Sequence, residues 1–198
     1  GLNFSSPATL PSAGASIDLG GGSVTITGSE FTIEPGASLA FTNETVNADV
    51  NNEGTLKVQN GTSTFNASSL MNTGTLALEG VAAGSATFTV NASFTNGGLI
   101  TFDNVYASAT RSQTFNMNGT LTNNGTLQTL QTGAGGTRTF TGDLTQGASG
   151  VIDIDRDLTL NTLALDLSLG TLDVATGRTL SVVAQNATAV MTFADGSY

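Results

Sequence analysis

Four stretches of the chain share one pattern: VNNEGTLKV at 50–58, LMNTGTLAL at 70–78, FTNGGLITF at 94–102 and LTNNGTLQT at 121–129. In each, an apolar residue leads into a turn rich in Asn and Gly. Two apolar residues follow, with one other residue between them. Weaker or shorter copies lie at 14–19, 36–41, 147–154, 168–174 and 177–182. Recurrence at intervals of a few tens of residues is typical of repeat proteins in which each repeat is one structural unit.

The spacing of the repeats is irregular overall but nearly constant within each repeat. The first apolar residue after each turn serves as a marker, and these markers are Ile17, Leu39, Leu56, Leu76, Ile100, Leu127, Ile152 and Leu172. Successive markers are 17 to 27 residues apart. A Thr-Phe pair precedes four of them by 11, 12, 12 and 12 residues, counted from Phe65, Phe88, Phe115 and Phe140. We therefore expect insertions to fall in one loop on one side of a solenoid.

The alternation of apolar and other residues after each turn indicates β-strands. The same strand returns once per repeat, and parallel strands need long crossovers of the kind that such a repeat supplies. The fold class predicted is all-β, a single-stranded parallel β-helix of about eight coils with the markers stacked directly over one another. We interpret 1–198 as one domain, with an N-terminal coil or cap at 1–29, repeats at 30–185 and an incomplete last coil at 186–198.

Asn and Gly are expected at the corners of the coils. The segments 51–54, 96–98 and 123–125 should stack as columns down one corner, because corners need side-chain-to-backbone hydrogen bonds or positive φ. On the assumption that Gly54, Gly74 and Gly125 have positive φ, replacing one of them by Val should disrupt the corner.

The composition excludes several classes of function. The chain has 198 residues, with Lys+Arg 5 against Asp+Glu 15, a net charge of -10, and neither Cys nor His. Too few cations are present to neutralise a run of phosphates, so nucleic acid is excluded as a partner. The same charge disfavours anionic membrane surfaces, and no apolar run is long enough for membrane insertion. Without His and Cys there is no Ser-His-Asp triad, thiolate nucleophile or ordinary zinc site.

The densest acidic cluster is Asp153, Asp155 and Asp157 in VIDIDRDLTL. Calcium is bound by several such oxygen ligands, which makes these residues weak calcium candidates. The alternation, however, buries Ile152 and Ile154 and leaves Asp153 and Asp155 on the solvated face. The interpretation favoured is therefore a structural surface without a cofactor.

No catalytic or cofactor-binding residue is predicted. A polysaccharide-acting β-helix enzyme is a distant alternative, because glycoside hydrolysis needs two carboxylates across a groove. The carboxylates that could pair between coils are Asp18, Asp153, Asp166 and Asp173.

Threonines two residues apart occur throughout the chain, and a flat array of them could order water as an ice-binding solenoid might. The pairs are Thr25/Thr27, Thr62/Thr64, Thr73/Thr75, Thr87/Thr89, Thr120/Thr122 and Thr137/Thr139. Because they lie at different distances from the markers, we expect them not to line up on one face.

The phrase LTNNGTLQ, together with VNNEGTLKV and LMNTGTLAL, resembles repeats of large bacterial surface β-helices. The families are filamentous-haemagglutinin-like secreted adhesins and autotransporter passenger domains, and the likeness covers about residues 30–185. The resemblance implies a right-handed β-helix on the outside of a bacterium. It also implies a non-enzymatic role as an adhesin segment or stalk, with a host surface, a neighbouring cell or a glycan as partner.

The C-terminal sequence suggests an alternative. Thr192-Phe193 repeats the strand marker, and 196–198 resembles the start of another strand, so the sequence stops inside a coil. An uncapped coil exposes strand edges that invite pairing. The alternative function is a filament or surface-layer subunit whose copies join end to end by strand addition.

Overall fold

The computed structural model describes residues 2–3, 7–11, 14–20, 25–28, 30–130, 132–186 and 190–193. All regular secondary structure in these ranges is β-strand. The strands pair in parallel with strands of the preceding and following coils. The chain is thus an all-β, parallel β-solenoid, as predicted, and it has about seven turns. The strand start predicted at 196–198 lies outside the described residues.

Three faces make up the solenoid, and we name them A, B and C in the order in which the chain passes through a coil. Face A holds β1 (Leu2–Asn3), β4 (Thr25–Thr27), β7 (Thr45–Val46), β10 (Gly61–Phe65), β13 (Ala86–Val90), the first part of β16 (Gln113–Asn123), the first part of β18 (Arg138–Gln146), β20 (Leu158–Thr162) and β23 (Leu180–Ala184). Face B holds β2 (Ala8–Leu10), β5 (Glu30–Ile33), β8 (Asp49–Asn52), β11 (Leu70–Asn72), β14 (Phe94–Asn96), the second parts of β16 and β18, β21 (Ala164–Leu167) and β24 (Val190–Phe193). Face C holds β3 (Ser16–Asp18), β6 (Ser38–Phe41), β9 (Thr55–Gln59), β12 (Thr75–Gly80), β15 (Leu99–Asn104), β17 (Thr126–Thr129), β19 (Val151–Ile154) and β22 (Thr171–Val174).

The predicted marker residues form one column on face C. Each pairs in register with the next, from Ile17 beside Leu39 to Ile152 beside Leu172. The six inner markers are at most 2% exposed, whereas Ile17 is 39% and Leu172 37% exposed, because each end marker is paired on one side only. No coil buries its own core, and each relies on its neighbours.

Three of the four phenylalanines of the Thr-Phe pairs form a column on face A. Phe88, Phe115 and Phe140 pair in register, with ring centroids 5.5 Å and 5.7 Å apart. Phe65 is not part of this column, since it pairs with Val90 rather than with Phe88. The corner that follows β10 has one residue more than the corner that follows β13, and Phe65 lies 11 rather than 12 residues before its marker, so together these differences shift Phe65 by two positions.

Long insertions fall at the corner between faces C and A, as predicted. This corner ranges from one residue, Asn60, to eight residues at 105–112 and at 130–137. The corner between faces B and C, by contrast, has only two residues in four successive coils. One edge of the solenoid therefore carries the protruding loops, and the B–C edge is tight.

The tight B–C edge contains a buried ladder of amide side chains. Asn52 donates to Asn72 at 2.6 Å, Asn72 to Asn96 at 2.7 Å, Asn96 to Asn123 at 2.8 Å and Asn123 to Gln146 at 3.0 Å. Each Asn amide also donates to a backbone carbonyl of the following coil, for example Asn72 to Leu99. The stacked Asn-Gly corner predicted from the sequence is confirmed, and the four Asn side chains of the ladder each donate to the next amide side chain; the side-chain oxygen of Asn52, which begins the ladder, has no partner.

The glycines of this corner are required for a reason other than the one predicted. Gly54, Gly74 and Gly125 do not have positive φ, so that part of the prediction is wrong. A Cβ on any of them would lie less than 3.0 Å from backbone atoms of the preceding coil. Close approach of successive corners, rather than backbone conformation, requires glycine here.

Candidate functional site

The structure does not bring the three weak calcium candidates together. Asp153 accepts a hydrogen bond from the Gln128 amide at 2.7 Å, and Asp157 accepts one from the Thr179 backbone amide at 2.9 Å. Asp155 is exposed. Within the described ranges, no three Asp or Glu side chains converge as a metal site would require.

Of the carboxylates considered for an enzyme, only Asp153 and Asp173 are neighbours, in register on face C. Asp18 lies on the same face at the opposite end of the solenoid, and Asp166 lies on face B. Hydrogen bonds from Ser168 hold the pKa of Asp166 below its ordinary value.

A buried polar cluster under the long loops was not predicted from the sequence. Asp103 is 5% exposed and accepts hydrogen bonds from the Thr132 amide, at 3.2 Å, and from the Thr132 hydroxyl. Burial raises the pKa of Asp103. Arg138, 3% exposed, donates to the carbonyls of Gly136 and Leu130 at 2.6 Å and 3.1 Å.

Asn104 and Arg111 connect the loops of successive coils. The Asn104 amide donates to the carbonyls of Ala109 and Ala134 at 2.9 Å and 2.6 Å, so one side chain holds both eight-residue loops. Arg111 donates to the carbonyls of Val81 and Ala82, and its guanidinium lies 5.6 Å from the centre of the ring of Tyr106. We call residues 81–85, 105–112, 130 and 132–137 the loop ridge. The polar residues beneath and within it fix its shape.

Glu44 is a second buried carboxyl. It lies at the C–A corner that follows β6, three coils before β15, the strand that contains Asp103. It is 1% exposed, and its Oε2 accepts a hydrogen bond from the Ser63 hydroxyl at 3.4 Å. Its Oε1 has no hydrogen-bond partner. Burial raises the pKa of Glu44.

Face A presents two parallel columns of hydroxyl and amide side chains, contrary to expectation. The pairs Thr62/Thr64 and Thr87/Thr89 lie in register, and later coils extend both columns. The first column is Thr62, Thr87, Thr114, Thr139 and Thr159, and the second is Thr64, Thr89, Asn116, Thr141 and Asn161. We call these ten positions the threonine face.

Not all of the threonine pairs lie on this face. Thr120/Thr122 lie in the second part of β16, next to face B, and Thr75 begins a strand of face C. The pair Thr137/Thr139 is split, since only Thr139 belongs to the array. The expectation that the pairs do not line up is therefore wrong for Thr62/Thr64 and Thr87/Thr89. It holds for Thr25/Thr27, which also lies on face A, because Thr25 aligns through Thr45 with Thr64 rather than with Thr62.

The threonine face carries no charge over five coils, whereas the other two faces do. On face C, Lys57 forms an ion pair with Glu79 at 3.2 Å, and Asp153 and Asp173 follow in later coils. Face B presents Asp166 and, in the same column, the exposed side chain of Met71.

The described residues include no helix of the length and apolar character needed to cross a membrane. No family model, no curated protein and no solved structure matches the chain.

Proposed function

We propose that this chain is a non-enzymatic, extracellular rod that forms an adhesin segment or stalk at a bacterial surface. The observation that carries the proposal is the continuous stacking of the apolar markers and the buried amide ladder along the solenoid axis. With strands about 4.8 Å apart, the eight strands of face C span roughly 34 Å. A rod of this kind sets a distance between whatever lies at its two ends.

The composition suits a protein outside the cell. The rod is held without disulfides, because the chain has no Cys. The buried amides of the ladder donate to one another along four successive steps, and such networks of buried hydrogen bonds stiffen a core.

The loop ridge is the surface that we assign to contact with a partner. Binding residues are concentrated on loops that a rigid scaffold holds in place. Here Asn104 and Arg111 hold the loops of three successive coils against one another. A host surface, a neighbouring cell or a glycan is the class of partner that the proposal names.

Two measurements test this proposal. Protease treatment of intact source cells should remove the protein, which places it outside. Beads coated with the protein should adhere to cells or to a glycan array. Arg111→Ala removes the hydrogen bonds to the carbonyls of Val81 and Ala82 that join two loops, and it should weaken that adhesion several-fold. Lys57→Ala, on face C, should leave adhesion unchanged. Full protection from protease, or equal adhesion of both variants and the native protein, would refute the proposal.

End-to-end assembly is a second candidate, favoured by the exposed apolar residues on the last strand of face C. Leu172 and Val174 are 37% and 38% exposed, although their counterparts Ile152 and Ile154 are fully buried. If β22 of one copy extends the register onto β3 of another, Asp173 faces Asp18. Sedimentation velocity should then show larger species whose fraction rises with Asp173→Asn. A monomer at every concentration, with and without the substitution, would exclude this assembly.

A further inference from the structure

We infer that the threonine face binds ice, by holding a layer of water in a lattice that matches the crystal surface. This inference is independent of the adhesin or stalk function proposed above. The ligand class is crystalline water. The carrying observation is the two-column array at the ten positions from Thr62 to Asn161.

The array repeats in two directions. Along the solenoid axis, neighbouring side chains of one column are about 4.8 Å apart, the spacing of paired strands. Across the face, the two columns are separated by two residues of one strand, roughly 6.6 Å. Five successive coils keep this register without a shift in the strand segments that carry the array. A two-dimensional repeat of small hydroxyl groups can match a crystal plane, which an irregular surface cannot.

Eight of the ten side chains of the array are threonines, which are stiff, and several of their hydroxyls are available. Threonine is branched at Cβ and has restricted χ1, so its hydroxyl and methyl groups hold fixed positions. Within the described part of the chain, the hydroxyls of Thr87, Thr114 and Thr139 make no hydrogen bond to another residue. They are therefore left to bond water, and the methyl groups between them limit where that water can sit.

The lack of charge over the ten positions also fits this ligand. Charged side chains order water around themselves radially and would disrupt a flat layer. Because an ice surface is a repeating lattice, the weak contacts of all ten positions act together, as in multivalent binding. One bulky or charged side chain in the middle of the array is enough to lift the surrounding positions off the crystal.

The chain offers a matched pair of variants for the test. Thr114 and Thr122 lie in the same strand β16, both half-buried, but Thr114 belongs to the threonine face and Thr122 to face B. The native protein, Thr114→Lys and Thr122→Lys should be compared for thermal hysteresis and for partition into slowly growing ice. Circular dichroism and thermal unfolding of each variant show whether the solenoid is intact.

We expect hysteresis and enrichment in the ice fraction for the native protein and for Thr122→Lys. Thr114→Lys should lose at least tenfold in ice partition while it unfolds at the same temperature as Thr122→Lys. Three results overturn the inference. The first is partition of the native protein no better than that of an unrelated acidic protein, and the second is an equal loss of partition in the two variants. The third is binding of the native protein to particulate cellulose or chitin without any hysteresis.

Discussion

Replacing Asn96 by Ala tests whether the buried amide ladder, and not apolar stacking alone, holds the coils in register. Asn96 is fully buried and lies in the middle of the ladder. It accepts a hydrogen bond from Asn72 at 2.7 Å and donates one to Asn123 at 2.8 Å. It also donates to the backbone carbonyl of Thr126 at 3.3 Å.

The cost of this substitution follows from the groups that it leaves without partners. The Asn72 amide loses one acceptor, and the Asn123 side-chain oxygen loses its donor. Neither group can form a hydrogen bond with bulk water instead, because the side chains of Asn72 and Asn123 are buried. A buried polar group without a partner costs about 1–3 kcal/mol, so two of them should lower the free energy of unfolding by about 2–6 kcal/mol. This is a large share of the stability of a typical domain.

Asn91 provides the matched control. It occupies a second, exposed asparagine ladder, where it donates to Asn66 and accepts from Asn118. Water can replace these bonds, so Asn91→Ala should cost less than about 0.5 kcal/mol, as ordinary surface substitutions do. Urea unfolding, followed by circular dichroism, gives both values from the midpoints if the m-value is unchanged. Equal midpoints for Asn91→Ala and Asn96→Ala would show that the buried ladder contributes nothing beyond packing.

Three further predictions concern the corner, a buried carboxyl and the core. Gly98→Ala should strongly lower the temperature midpoint of unfolding, because the new Cβ would clash with the backbone of Gly74. Gly97→Ala should be tolerated, because no atom lies closer than 3.7 Å to the Cβ position; equal melting temperatures of the two variants would contradict this prediction. The folded protein binds the proton of Glu44 more tightly than the unfolded chain does. Stability should therefore fall as pH rises from 4.5 through the raised pKa, and Glu44→Gln should lose this fall in urea titrations at several pH values. Phe115→Ala should lower the free energy of unfolding, measured with urea, by about 3–5 kcal/mol, because a fully buried ring is lost. A decrease below about 1 kcal/mol would show instead that the core repacks to fill the cavity.

The sequence predicts the parts of the fold that depend on the core. The markers from Ile17 to Leu172 are defined by the recurring turn-and-strand pattern, and they do form a column, because every coil must place an apolar residue at that point. The location of the insertions followed from the same constant spacing. The number of faces could not be predicted from the sequence. In β16 and β18 the strand of face A continues into the strand of face B without turn residues between them.

The polar cluster under the loop ridge could not be predicted in the same way. Asp103 falls at an outward position of the alternation, and only the loops that fold over it make it buried. Arg138 begins β18, where nothing in the local sequence shows that its guanidinium will bond two loop carbonyls. Contacts that depend on how a loop of eight residues folds back have no short-range signature.

The threonine face shows what a core-based account of the sequence leaves out. Outward positions of a solenoid are not constrained by packing, and faces B and C accordingly mix Met71, Lys57 and Asp153 with smaller residues. Face A keeps hydroxyl or amide side chains at both outward columns for five coils, from Thr62 to Asn161. The fold does not require this uniformity. A requirement at the surface of face A, rather than the stability of the rod, therefore best explains it.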